Sequence, residues 1–171
     1  MATSPDSIAP TLRLPLRTAL QPAAPTEPTP EAAPRSLRLL VAEDNEVNCE
    51  VLKAMVSHLG HDAQFAHDGR AAVLAVQQGD FDLVLMDLHM PELDGIAATR
   101  AIRALPGAKA ALPIIALTAD AFAETRARCF DAGMNGFLSK PVTLDALAHT
   151  VARNAAAALR EAQPSAMAAA A

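Results

Sequence analysis

The sequence predicts an α/β protein built on one doubly wound, five-stranded parallel sheet with five helices. Three observations carry that prediction. Short apolar runs alternate five times with longer helical patterns along the chain. The central runs are apolar at every position, the pattern of strands buried on both faces of a parallel sheet. Acidic, hydroxyl or basic residues stand directly after four of the runs, at the edge where such a sheet gathers its chemistry.

The elements follow in order. Leu37 to Ala42 is a short apolar run ending in Glu43-Asp44. Asn45 to Leu59 places Val47, Val51, Leu52, Met55, Val56 and Leu59 on one helical face, and Gly60 is a stop signal. Asp62 to Ala66 is a weaker strand signal. Asp68-Gly69 turns the chain into a helix from Arg70 to Gln78, ended at Gly79. Phe81 to Met86, FDLVLM, reads as a buried strand capped by Asp87. A third helix covers Ile96 to Leu105, and a strand covers Leu112 to Leu117 before Thr118. A fourth helix spans Ala121 to Ala132 and stops at Gly133. Gly136 to Leu138 is a short strand leading to Ser139-Lys140-Pro141. The last helix runs from Thr143, a candidate cap, to about Asn154.

Two flanks differ from this pattern. Residues 1–36 hold eight of the 13 prolines, and QPAAPTEPTPEAAP reads as an extended, disordered linker. TLRLPLRTAL within that leader is briefly amphipathic. Residues 157–171 read as an Ala-rich tail interrupted by Pro164. The ordered domain is therefore expected at 37–156, within a chain of 171 residues.

Composition excludes several classes. Net charge is −5 and no dense basic stripe exists, which argues against direct nucleic-acid binding. No run of 18 or more apolar residues is present, so no membrane span is expected. Cys49 and Cys129 cannot build a disulfide framework and fit a reducing, cytoplasmic setting. The absence of Trp and Tyr makes the core aliphatic.

The strand ends bring Glu43, Asp44, Asp87, Thr118 and Lys140 to one edge. Two like charges 4 Å apart cost about 1 kcal/mol in water and about 4 kcal/mol at an effective dielectric of 20. One lysine cannot balance three carboxylates, so a hard divalent cation such as Mg²⁺ is the expected remedy.

The blocks LLVAEDNEVN, LVLMDLHMPELDG, ALTADA and AGMNGFLSKPV resemble the motifs of the response regulator receiver domain family, in its order and at its spacings. The forms are most similar to receivers of hybrid sensor histidine kinases. The resemblance implies a flavodoxin-like sheet of order 2-1-3-4-5. It implies Asp87 as phosphoacceptor, with Mg²⁺ held by Glu43, Asp44, Asp87 and the backbone carbonyl of His89. Thr118 and Lys140 would bind phosphoryl oxygens, and the small Ala119 would leave room for the group. Phe137 would be the switch aromatic, and Lys140-Pro141 the bond that is usually cis. The implied partners are a histidine kinase or histidine phosphotransfer protein as donor. A downstream partner would read the face of the fourth helix, fifth strand and fifth helix. The chain would then be a module of two-component or phosphorelay signalling that takes part in its own phosphorylation, not a turnover enzyme.

Each residue also has a plainer reading. Glu43-Asp44 suits an acidic helix start, Asp87 a turn or N-cap, Thr118 a cap, Lys140 a surface lysine and Phe137 the core. His89, two positions after Asp87, reads as an exposed loop residue or one that positions or blocks the hydrolytic water. His58 and His61 lack a second ligand pair for zinc, and His67 and His149 read as surface residues. Two other functions share the pattern. One is a metal-binding pseudo-receiver that takes no phosphate. The other is an aspartate-nucleophile phosphatase, disfavoured by the nucleophile candidate lying on the third strand and by His at position 89. The cognate kinase, the stimulus, the output, the acyl-phosphate lifetime and the oligomeric state are not encoded legibly. The Pro-rich leader favours the receiver end of a larger hybrid kinase, whereas the start Met1 and compact length favour a standalone regulator.

Overall fold

The computed structural model describes residues 36–161 other than Ala121, with only the helical backbone described over 155–161. Of the expected linker 1–36 and tail 157–171, residues 1–35 and 162–171 lie outside the described residues, and 157–161 belong to the last helix instead of a tail. Five strands form one parallel sheet: β1 (Arg38–Ala42), β2 (Asp62–Ala66), β3 (Leu83–Asp87), β4 (Ile114–Thr118) and β5 (Gly136–Ser139). Their order is β2-β1-β3-β4-β5, as expected. Helices α1 (Glu46–His58), α2 (Gly69–Gln78), α3 (Gly95–Arg103), α4 (Ala123–Asp131) and α5 (Leu144–Glu161) connect and cover it.

The period of two along each strand divides the core into two layers. Leu39, Val41, Leu83, Leu85, Ile115 and Leu117 point to the face covered by Leu52 and Val56 of α1 and Leu147 and Val151 of α5. Leu40, Val84, Met86, Ile114 and Ala116 point the other way, against Ala72 and Val76 of α2, Ile102 of α3 and Cys129 of α4. Both faces of β1, β3 and β4 are thus covered, which explains their continuous apolar runs. The weaker β2 signal has the opposite cause. It is an edge strand with exposed Asp62 and Gln64.

The expected apolar face of α1 needs correction. Val47 and Val51 are 72% and 47% exposed, and the buried positions are Cys49, Leu52 and Val56. The small thiol of Cys49 takes the core position that the larger valines do not. The last helix also runs past its expected end near Asn154 to Glu161, because the alanines that follow favour helix. A 3₁₀ turn, Gly107–Ala111, precedes β4 where no element was expected. Its Lys109 ammonium donates to the carbonyls of Val76, Gln77 and Gly79, capping the end of α2.

Two glycines set the geometry near the loops. Gly133 adopts φ +96°, and its carbonyl accepts from Arg103 Nε at 2.9 Å. Gly95 starts α3 directly against β3. A Cβ there would stand 2.1 Å from the Asp87 carbonyl oxygen, so only glycine lets the helix approach.

Candidate functional site

β2 and β3 flank β1 on opposite sides, so the chain reverses its winding there and a crevice opens past the carboxyl ends of β1 and β3. Glu43 and Asp44 follow β1, and Asp87 ends β3. Carboxylate oxygens of all three lie within 4.8 Å of one another. Glu43 is 1% exposed, so it is not a solvated helix-start residue, whereas Asp44 is exposed. The actual cap of α1 is Asn45, whose side chain accepts from the amides of Val47 and Asn48.

Lys140, following β5, reaches across to these acids. Its ammonium donates to Asp87 Oδ2 at 2.6 Å and pairs with Glu43 Oε2 at 2.7 Å. Burial lowers the Lys140 pKa, but the hydrogen bonds and charges of Asp87 and Glu43 outweigh it and leave the pKa raised. The plain surface-lysine reading therefore fails. Asp87 Oδ1 accepts from the His89 amide at 3.2 Å, which fixes the plane of the carboxylate. The Lys140-Pro141 bond is cis.

The remaining expected residues surround this cup. Thr118 is buried at the end of β4, and its hydroxyl is engaged with the backbone of Asp120. Ala119 and His89 are exposed in their loops. Phe137 stands apart from the acids. It is half-buried on β5, opposite Ala116, with the Arg126 guanidinium 5.3 Å from its ring centroid.

Two contacts escaped the sequence reading. Asn48 Nδ2 donates to Glu43 Oε1 at 2.9 Å, and the Cys49 thiol donates to the Glu43 carbonyl at 3.3 Å. Both lie on the first turn of α1, which folds back over the end of β1. The Asn in the EDNEVN block is the one signal for this. Burial and then the neighbouring Glu43 and Asp44 charges raise the Cys49 pKa, so it is a poor nucleophile. A cleft lined by Glu43, Asn48, Val51, Leu52, Lys140 and Pro141 opens beside the acids.

The residues present suit a hard cation. The donors are all oxygens, Lys140 balances one of three carboxylate charges, and the spacing is within reach of one ion with bonds of about 2.1 Å.

Comparison with known proteins agrees with this geometry. The response regulator receiver domain family model matches residues 39–152, and the chain belongs to that family, whose members serve two-component and phosphorelay signalling. Over 134 residues it is 38% identical to the sensor histidine kinase RcsC of Salmonella typhi, covering 78% of this chain and 14% of that one. It is 39% identical over 137 residues to the sensor protein GacS of Pseudomonas syringae pv. syringae, covering 79% and 15%. The chain thus spans about one seventh of these curated relatives. Among solved structures it is similar to the receiver domain of a sensor histidine kinase from Pseudomonas aeruginosa PAO1, crystallised with magnesium coordinated in its active site cleft. That match has a TM-score of 0.67 at 39% identity and covers 71% of this chain and 99% of that one. A second neighbour is the Ssk1 receiver domain of Saccharomyces cerevisiae, solved with the histidine phosphotransfer protein Ypd1. Its TM-score is 0.66 at 28% identity, covering 71% and 90%. Among the described residues no helix is long and apolar enough to cross a membrane.

Proposed function

We propose that this receiver takes a phosphoryl group from a phosphohistidine onto Asp87. The observation that carries the reading is the setting of that carboxylate. It is buried at a strand end with two other acids within 4.8 Å and a lysine ammonium 2.6 Å away. The two neighbouring acids give a purely structural acid no advantage, since like charges 4 Å apart repel by about 4 kcal/mol at an effective dielectric of 20.

The chemistry needs no general base, because a carboxylate oxygen is itself the nucleophile. It attacks phosphorus in line, the P–N bond to the donor imidazole breaks, and the nitrogen keeps the electron pair and takes up a proton. The product is an aspartyl phosphate. Lys140 moves from the carboxylates to a phosphoryl oxygen, and Thr118 donates to another, with Ala119 leaving space beside them. Asp44, Asp87, Glu43 and the His89 carbonyl would hold Mg²⁺, with the two Glu43 oxygens already facing Asn48 and Lys140. When bound, it supplies positive charge to the phosphoryl oxygens. Phe137 turns inward as Thr118 moves, altering the face of α4, β5 and α5 that a downstream partner reads.

The donor is a histidine kinase or a histidine phosphotransfer protein, as the Ypd1 complex of the similar Ssk1 receiver suggests. Residues 37–156 are the receiver unit in this reading, joined to a linker at 1–36 and a tail. The module is cytoplasmic and is not a turnover enzyme. Incubation with acetyl phosphate or phosphoramidate and Mg²⁺ is expected to add one phosphoryl group, and Asp87→Asn to abolish it. Label persisting on Asp87→Asn would place the acceptor elsewhere. A chain that responds to Mg²⁺ yet never takes label would be a pseudo-receiver.

A further inference from the structure

The single proton of the Thr118 hydroxyl is committed in this structure. It is donated to the Asp120 carbonyl at 2.8 Å, and the same oxygen accepts from the Asp120 amide at 3.0 Å. Asp120 also acts in the other direction. Its Oδ1 accepts from the Phe122 amide at 2.9 Å, and its Oδ2 from the Thr125 hydroxyl at 3.5 Å. Phe122 is the N-cap residue of α4 and offers no side-chain cap, so Asp120, by holding that residue's own amide and the Thr125 hydroxyl, anchors this end of the helix. The Phe122 carbonyl accepts from the Arg126 amide at 3.1 Å, and the Arg126 guanidinium covers Phe137. These contacts are continuous from Thr118 to Phe137 through the first turn of α4.

We propose that Asp120 is the positioning residue that couples Thr118 to Phe137 through the start of α4. The proposal rests on the phosphoacceptor reading above for what moves Thr118. The two states differ in which acceptor holds one hydroxyl proton. An anionic phosphoryl oxygen makes a stronger hydrogen bond than a neutral carbonyl, so phosphorylation favours release of Asp120. Once released, the Asp120 carboxylate no longer fixes the Phe122 amide. The first turn of α4 frays, Arg126 withdraws, and Phe137 is free to turn. Asp120 therefore sets how much of the switched state exists before any phosphate arrives.

The test uses the full chain with Phe137→Trp, which is the sole tryptophan because the natural sequence has none. Emission and amide exchange of Ala123 to Arg126 are followed without phosphate. Adding Asp120→Ala is expected to speed exchange in that turn about fivefold to tenfold, the loss of one anchoring hydrogen bond. It is also expected to move the emission toward the value the single variant reaches with acetyl phosphate and Mg²⁺. Asp120→Asn keeps the Oδ1 acceptor and is expected to stay near the parent in both readouts. Arg126→Ala, on an exposed side chain, is expected to move the emission while labelling of Asp87 stays at the parent level. Exchange and emission unchanged by Asp120→Ala, or Asn and Ala behaving alike, would overturn the coupling. Labelling of Asp87 in the same samples judges the phosphoacceptor reading separately. Its absence in the parent sinks that reading, whereas the unphosphorylated comparison judges Asp120 alone.

Discussion

Lys140 stands where a second cation would compete with it. Its ammonium is 2.6 Å from Asp87 Oδ2 and 2.7 Å from Glu43 Oε2. Lys140→Met leaves two buried carboxylates without their cation and should cost about 3 kcal/mol. Saturating Mg²⁺ should recover part of that loss in denaturant unfolding, because it replaces the missing charge. An equal loss with and without Mg²⁺ would show that Lys140 and the ion do not share a site. The pH dependence has a definite sign. The folded pKa of Lys140 lies above the ordinary 10.5, so its contribution is complete below that value. It is lost only as pH rises through the raised pKa. The meeting of Asp87, Glu43 and Lys140 at one edge was legible in sequence because each stands at a strand end. The engagement of Thr118 was not, since it depends on the backbone path to Asp120 rather than on residue type.

At the scale of elements, the approach of α3 to β3 places Asp87. Gly95→Ala puts a methyl group 2.1 Å from the Asp87 carbonyl oxygen and forces helix and strand apart. It should cost about 1–3 kcal/mol as overpacking and slow labelling by acetyl phosphate, both readable in one preparation. Wild-type labelling rates would mean that the position of Asp87 does not depend on this contact. On α1, exposed Val51 lines the cleft beside Glu43 and Lys140. Val51→Glu should slow transfer from a phosphohistidine protein while leaving acetyl phosphate labelling near the parent rate, because a small donor needs no docking surface. Equal slowing of both would place Val51 in the chemistry instead. The helix itself was legible from its periodicity, and Leu52, Met55, Val56 and Leu59 of its expected face do pack on the core, but Val47 and Val51 do not. Apolar identity favours Val47 and Val51, while packing selects the smaller Cys49. The 3₁₀ turn and the Lys109 cap of α2 carry no periodic signal, and a lysine reads as exposed until its distant carbonyl partners are known.

For the whole molecule, the doubly covered sheet made the fold readable. β1, β3 and β4 are buried on both faces and show as unbroken apolar runs, and edge strand β2 shows weakly because it is half exposed. Parallel connections with helices between then leave few topologies, and the order β2-β1-β3-β4-β5 opens the crevice where the acids stand. We propose that this crevice serves the phosphorylation of one residue, Asp87. Borohydride reduction of the chain after phosphoryl transfer from a phosphohistidine protein, followed by peptide mass spectrometry, tests it directly. An aspartyl phosphate at position 87 is reduced to homoserine there, and that is the expected product. Homoserine at any other position, or none despite active donor and Mg²⁺, would contradict the account.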